Sequence, residues 1–494
     1  MQKRAFGIET EYSVACLEEN RKFYTNINIY GQVAGFLRRV FPLDKEAPDK
    51  LTELLFFPPI KDNDLWLASN GARFYFDMEM AVPEYSTPEC QSPREAVIHN
   101  LAGDSIVEDI RKEALRRGLL NNYSENKFKD IFVFKMNTHF SEDIQDLQKS
   151  VGCHENYTTL SLSGFEIPAF SDFMTPFLLS RQIFDGSGGI RLQNNNEWQY
   201  VISQRPFFIT DMISSQTTGG GGRGFIAFKN EFSEVLSGQI RFHLHCGDSN
   251  MSPWGKFVSL GATHLVLRAY EEYRDNNWKY KPHPSHCIED LYSLARDPTL
   301  KFPIRILEGD REKKLSAIEI QKEYINFVEK SLKNLSDMES DALSSWKSTL
   351  KKLELGYEAV SQELDWAIKL NFIKERLGGN LNSPKTRFAS ALYHDISERG
   401  IYNTLLRSGE ILPFCDADEI KKCRITPPPT RAQFRSRFLK ILLETGKLNY
   451  SYNLWGGFGN FSTIIYIRDP LDMTTEEGEN FLESLKIIPL KSSE

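Results

Sequence analysis

Two carboxylates two residues apart, Glu9 and Glu11, stand in the run Phe6-Gly7-Ile8-Glu9-Thr10-Glu11-Tyr12-Ser13-Val14. Read as a strand, Phe6, Ile8, Thr10, Tyr12 and Val14 share one face and Gly7, Glu9, Glu11 and Ser13 the other. Alternate side chains then lie roughly 6.5–7 Å apart, and two carboxylates at that spacing repel unless a cation sits beside them. A hard divalent ion such as Mg²⁺, which takes oxygen ligands and bridges to phosphate, answers that need. A half-exposed edge strand with solvated glutamates also satisfies the pattern.

The same alternation recurs. In Asn70-Gly71-Ala72-Arg73-Phe74-Tyr75-Phe76-Asp77 a turn signal leads into a strand with Arg73, Tyr75 and Asp77 on one side and Phe74 and Phe76 on the other. Asp77 reads as a general base or as the ion-pair partner of Arg73. Glu84 follows in Pro83-Glu84-Tyr85. Lys135 and Asn137 oppose Phe132, Phe134 and Met136; Arg241, His243 and His245 oppose Phe242 and Leu244. His243 and His245 suit either a metal or a satisfied hydrogen-bond network. Strands of this kind predict an antiparallel or mixed sheet covered on one side, with ionisable groups converging on the other.

Elements that must position those strands are also legible. Ser92 with Glu95 opens a helix through about Arg117, and helices are predicted at 29–40, 256–273, 341–357 and 432–445. Leu51–Pro59 reads as a packed loop, and the Lys-rich stretches 310–314 and 347–352 as solvated helix faces. Tyr450–Tyr466 reads as a hairpin. A boundary near residue 410 divides a catalytic domain, 1–410, from a small C-terminal α+β domain, 411–494.

With 494 residues, 40 % hydrophobic and 26 % charged, the chain has the composition of a globular protein with a large core. A net charge of −7 and a pI near 5.9 leave no basic field for nucleic acid. The seven scattered cysteines suit reduced thiols in a cytoplasm, and no apolar run suggests a signal or a membrane span. Gly219–Gly222 with Arg223-Gly224 lacks the Lys-Ser/Thr of a P-loop and reads as a flexible active-site loop. Neither a zinc spacing nor a GxSxG elbow occurs.

Taken together, Gly7-Ile8-Glu9-Thr10-Glu11-Tyr12, Asn70–Asp77, Pro83-Glu84-Tyr85, Gly152-Cys153-His154-Glu155-Asn156-Tyr157, Gly247-Asp248-Ser249-Asn250-Met251, Leu364–Lys369 and Pro428–Arg435 resemble the Pup ligase/deamidase family. Pup is the prokaryotic ubiquitin-like protein, and the family belongs to the glutamine synthetase-like carboxylate–amine ligases. The resemblance spans nearly the whole chain, in family order. It implies an α+β fold with a curved antiparallel or mixed sheet backed by helices. The wording around Glu9 and Asp248 is ligase-like, whereas Tyr85–Cys90 is closer to the depupylase branch. Two departures stand out: Val82 replaces a histidine before Pro-Glu-Tyr, and Lys229 stands where the family has an arginine.

The resemblance further implies an ATP-dependent ligase that joins the C-terminal glutamate side chain of a Pup-like modifier to substrate lysines through an acyl phosphate. ATP and Mg²⁺ are the implied cofactors, with Glu9, Glu11, Glu84 and Glu155 as metal ligands or their supports. Asp77 is the implied base. Arg73, Tyr75, Asn156, Arg205, Arg241, His243 and Arg431 are candidate nucleotide or phosphate contacts, Arg431 arriving from the C-terminal domain. The alternatives are a depupylase/deamidase and a modifier-binding relative without turnover. The implied partners are the modifier and lysine-bearing proteins, with no nucleic acid and no membrane.

Overall fold

Alternation over residues 6–18 builds two sheets rather than one. In the computed structural model, which describes residues 3–18, 23–24, 65–77, 82–116, 128–138, 150–160, 162, 166–193, 195–214, 223–229, 239–273, 278–445, 451–452, 457–460 and 463–487, the chain crosses over at Tyr12. Phe6–Glu11 is β1 of the main sheet, and Ser13–Glu18 is β2 of a small sheet with β3 (Phe23–Tyr24). The expected helix at 29–40, the loop Leu51–Pro59 and the glycine run Gly219–Gly222 lie outside the described residues.

The main sheet adds β4 (Leu65–Leu67), β5 (Arg73–Asp77), β6 (Val82–Ser86), β8 (Cys153–Leu160), β11 (Asp211–Ser214), β12 (Gly224–Lys229) and β13 (Gln239–Gly247). The remaining strand of this half, β7 (Phe128–Phe134), pairs with β2. A hairpin of β9 (Gly189–Leu192) and β10 (Trp198–Val201) stands apart. The eight main strands run in the order β11-β12-β13-β8-β1-β6-β5-β4, all neighbours antiparallel except the parallel pair β11–β12. The expected mixed sheet is therefore present, with β1 near its middle.

One face is apolar. Ile8, Phe6, Tyr157, Phe242 and Leu244 pack with Phe170, Phe173 and Phe177 in a single buried cluster. The three phenylalanines lie on α2 (Glu166–Ser180), and the long α3 (Pro253–Glu272) is buried along most of its length in the same core. Helix α1 (Pro93–Arg116) covers the β5–β6 side, where Phe74 and Tyr85 meet Ile106, Val107 and Ile110. Its start follows the sequence signal: the Ser92 hydroxyl accepts the Glu95 N–H at 3.1 Å.

Two further helices, α4 (Ala317–Ser331) and α5 (Asp337–Leu355), begin on capping boxes, Ser316 with Glu319 and Ser336 with Glu339. One expectation fails here. Residues 310–314 lie on a hairpin, not a helix: β15 (Ile304–Glu308) turns at Gly309, whose φ of 62° favours glycine, into β16 (Arg311–Leu315). The edge strand β14 (Tyr280–Pro282) completes that sheet.

Toward the C-terminus, α6 (Asp365–Leu377) packs into the main core, and α7 (Ala417–Ile425) lies on α1 through Arg424–Asp109 and Arg94–Glu419 ion pairs. A separate cluster then forms from α8 (Arg431–Thr445), α9 (Glu476–Ile487) and the three strands β17 (Ser451–Tyr452), β18 (Gly457–Asn460) and β19 (Thr463–Tyr466). The expected hairpin at 450–466 is thus three-stranded. No helix among the described residues is long and apolar enough to cross a membrane.

His99 on α1 is buried, and burial alone lowers its pKa to about 4. The unfolded chain binds a proton at this residue near its ordinary value of about 6.5, so stability falls as pH drops from there toward 4. We expect unfolding free energy from urea titrations to lose about 2–3 kcal/mol over that range through this group. His99→Gln removes that part of the slope; an unchanged slope contradicts the assignment.

Candidate active site

Antiparallel register aligns the polar side chains into rows. Residues directly opposite across neighbouring strands share a face, so Arg73, Ser86, Glu9 and His154 form one row across β5, β6, β1 and β8. Tyr75, Glu84 and Glu11 form the next. Asn156 pairs with His243 at the level of Gly7. Five strands thereby place their ionisable residues on one surface.

Glu9 is the most connected. Its carboxylate accepts from the Arg241 guanidinium, lies 3.3 Å from His154 Nδ1 and 3.2 Å from His243 Nε2. Burial opposes its ionisation, yet Arg241, His243 and His154 outweigh burial and hold the carboxyl well below its ordinary range. Arg241 in turn donates to Asn156 Oδ1 at 2.6 Å. His243 is pushed well down by burial and by Arg241, which keeps it neutral.

Glu11, Asp77 and Glu84 converge, each offering an oxygen within 4.8 Å of the others. Glu11 accepts the Gly152 N–H, and Glu84 accepts the Tyr75 hydroxyl, which also meets Ser86 at 3.2 Å. Burial first, then Glu9 and Glu11, push the Glu84 carboxyl well above its usual range. Three oxygen donors that crowd one another in this way fit a hard divalent cation. Beside them, His243 Nε2 is buried without a hydrogen bond and aims at Glu9. That is the disposition of a nitrogen ligand awaiting an ion. The residues present therefore fit a Mg²⁺-type site, with Glu11, Glu84 and Asp77 on one side and Glu9 with His243 on the other.

Next to this floor Glu9, Arg73, Ser86, Asn156, Arg241 and Arg431 line an open cleft of about 630 Å³. Arg431, at the start of α8, reaches it while bound to Glu89 at 2.9 and 3.1 Å and to the Ile467 carbonyl at 3.1 Å. Arg435 also grips Glu89, so one carboxylate ties the C-terminal helix to the main sheet. The cleft offers guanidiniums to an anion such as a polyphosphate.

Two expectations need correction. Glu155 is no metal ligand: it opposes Ile8 and Leu244, on the apolar face of β8. There it is fully buried, accepting from Arg181 at 2.7 and 3.0 Å, Tyr157 at 2.7 Å and Lys256 at 3.2 Å. Burial opposes its charge, but Arg181 and Lys256 prevail and bring its pKa to about 2. Period two decides the matter, because His154 and Asn156 cannot face the site unless Glu155 turns away. Arg205 is only 3 % exposed and does not line the cleft. Its guanidinium donates to the Ser150 hydroxyl at 2.6 Å and the His245 carbonyl at 2.8 Å, beneath the polar face. His154, by contrast, belongs to the site and was missed; its alternation with Asn156 was the available signal.

A mixed sheet that is backed by helices and carries carboxylate rows beside an arginine-lined cleft is a glutamine synthetase-like α+β fold. The sequence profile of the Pup-ligase protein family matches residues 4–453, and the chain belongs to that family. It is 30 % identical over 458 residues to the Pup–protein ligase of Acidimicrobium ferrooxidans, covering 90 % of each chain. It is 32 % identical over 463 residues to that of Saccharomonospora viridis, covering 90 % of this chain and 91 % of the relative. The fold matches the ligase PafA in its complex with Pup, with TM-score 0.80 and 23 % identity over 98 % of this chain and 92 % of that one. It also matches PafA in complex with ADP, with TM-score 0.73 and 23 % identity over 92 % and 94 %.

The two readings of Glu155 separate cleanly. Glu155→Gln leaves Arg181 and Lys256 short of a buried counter-charge, which costs about 3–5 kcal/mol. We expect that loss in a urea unfolding titration. An unaltered stability with a raised Mg²⁺ requirement would restore the ligand role.

Proposed function

We propose that this chain is an ATP-dependent ligase that joins the C-terminal glutamate side chain of a Pup-like modifier to lysines of protein substrates. The observation that carries the reading is the meeting of two features in one place. A crowded carboxylate set, Glu11, Asp77 and Glu84, lies beside a guanidinium-lined cleft, in a chain about 30 % identical to Pup–protein ligases over nine-tenths of its length.

In the first half-reaction a modifier carboxylate oxygen bonds to the γ-phosphorus of ATP and ADP leaves, giving an acyl phosphate. Arg73, Arg241 and Arg431 hold the polyphosphate in the cleft, and Asn156 fixes Arg241. Glu11, Glu84 and Glu9 would hold Mg²⁺, which would neutralise charge on the transferring phosphoryl group. In the second half-reaction the lysine nitrogen bonds to the acyl carbon and phosphate leaves. The ammonium must first lose a proton, since lysine is charged at neutral pH. Asp77, at the edge of the carboxylate set, takes that proton. Tyr75 holds Glu84 in place. His243 completes the cation's surroundings. The seven cysteines, all unpaired, support a reducing cytoplasm as the setting.

The test is an incubation with Mg²⁺–ATP, a Pup-like peptide ending in glutamate and a lysine-bearing acceptor. We expect an isopeptide-linked product. Cleavage of a pre-made conjugate without any ligation would assign the chain to the depupylase branch instead. Asp77→Asn is expected to slow conjugation about 10²–10⁴-fold while ADP release and hydroxylamine trapping of the acyl phosphate persist. Full conjugation by that variant removes Asp77 as the base.

A further inference from the structure

Where a strand pair ends, its two chains part, and at one such point the C-terminal helix α8 holds both. The β5–β6 ladder runs from the pair Asp77–Val82 to the pair Arg73–Ser86, so it ends at Arg73. Beyond that pair one chain runs back to the turn at Asn70-Gly71 and the other runs on to Glu89. We infer that Arg435 is a positioning residue that staples these two chain ends and thereby sets Arg73 at the cleft. The C-terminal helix then governs nucleotide affinity through Arg73 as well as through Arg431. The inference rests on the reading of the cleft as a nucleotide site.

The staple is a single guanidinium. Arg435 Nε donates to the Gly71 carbonyl at 2.7 Å, Nη1 donates to Glu89 Oε1 at 3.2 Å, and Nη2 donates to Glu89 Oε2. The side chain is buried, which makes each of these contacts costly to lose. Burial opposes the ionisation of Glu89, but Arg435 and Arg431, with Arg73 adding to them, outweigh it and hold the carboxyl well below its ordinary range. Glu89 therefore stays charged and draws on all three cations. The planar fork of arginine reaches a carbonyl and a carboxylate together, whereas a lysine ammonium is a point charge.

The turn itself is held by more than Arg435. The Ser436 hydroxyl donates to the Ser69 carbonyl at 2.6 Å, and the Asn70 side-chain amide donates to the Cys423 carbonyl on α7 at 2.8 Å. Gly71 has a φ of 79°, and a Cβ there would come within 2.7 Å of the Ala432 carbonyl oxygen, so turn and helix touch with no room for a side chain. On the far side of the turn, β4 has only three residues and forms the edge of the sheet. So short a hairpin arm does little to fix its own geometry. A shift of the turn reaches Arg73, two residues on, before it reaches Asp77 at the other end of the ladder. Arg73 and Glu89 both line the cleft, and the side chain of Arg431 enters it from the same helix as the staple.

Equilibrium binding of ADP with Mg²⁺ to the full chain tests the staple, alongside melting temperatures of the nucleotide-free proteins. Arg73→Ala and Arg435→Lys are each expected to weaken ADP binding about tenfold, the worth of one charge-assisted hydrogen bond. In the Arg73→Ala background, Arg435→Lys should change the affinity by less than about twofold. In the Arg431→Ala background its loss of about tenfold should persist. Losses that multiply with Arg73→Ala, or that disappear with Arg431→Ala, overturn the inference. So does a lowered melting temperature with unaltered ADP affinity, the mark of helix docking alone. If Arg435→Lys does not fold, Ser436→Ala loosens the same turn at Ser69, and its smaller loss must likewise vanish in the Arg73→Ala background. A wild type that binds no ADP contradicts the cleft reading, and the role of Arg73 falls with it. Wild-type binding that Arg435→Lys leaves intact contradicts the positioning role alone.

Discussion

Like charges forced onto one side of a sheet are the constraint from which this site follows. Three carboxylates within 4.8 Å of one another repel by about 3 kcal/mol per charged pair at an effective dielectric near 20. Folding holds them there because β1, β5 and β6 pair through a register that the apolar face dictates: a one-residue slip would bury Glu9 and Glu11 among phenylalanines. The core therefore sets the position of the acids, and the acids create the demand for a cation. Local donors meet only part of it. Tyr75 serves Glu84, the Gly152 amide serves Glu11, and Arg241 serves Glu9.

Behind the sheet the same chemistry is resolved differently. Glu155 and Asp185 are matched there by Arg181 and Lys256, all four buried. Even so, burial holds the Asp185 pKa up at about 7 against the pull of Lys256. Adjacent residues of β8 thus belong to two electrostatic worlds: His154 and Asn156 to a site open to charged ligands, Glu155 to a closed and internally neutralised pair of ion pairs. A separate contact, Glu89 with Arg431 and Arg435, joins the C-terminal helix to the cleft. It places a cation from a distant part of the chain where an anionic ligand would lie.

Much of this was legible in the sequence because strands announce their faces. Glu9, Glu11, Arg73, Tyr75, Asp77, Arg241 and His243 stand on the polar side that their alternation indicated, and Glu84 and Asn156, singled out by the family resemblance, share it. What could not be read was pairing. Glu155 looked like a fourth acid for the site, and only its register against Ile8 and Leu244 turns it inward. His154 went unnoticed because its partners, Glu9 and Arg205, are remote in sequence. Arg205 was taken for a ligand contact because a lone arginine carries no sign of depth. Residues 310–314 show the converse failure: a run of charges has no period, and Gly309 was the better guide to a hairpin.

The central claim is that Glu11 and Glu84, with Glu9, His154 and His243 adjacent, would hold the divalent cation, and that Asp77 stands beside them as the base. Anomalous diffraction from crystals grown with Mn²⁺ and ADP tests it most directly. We expect a manganese peak within ligand distance, about 2.0–2.3 Å, of carboxylate oxygens of Glu11 and Glu84. Manganese bound only away from these carboxylates would contradict that placement.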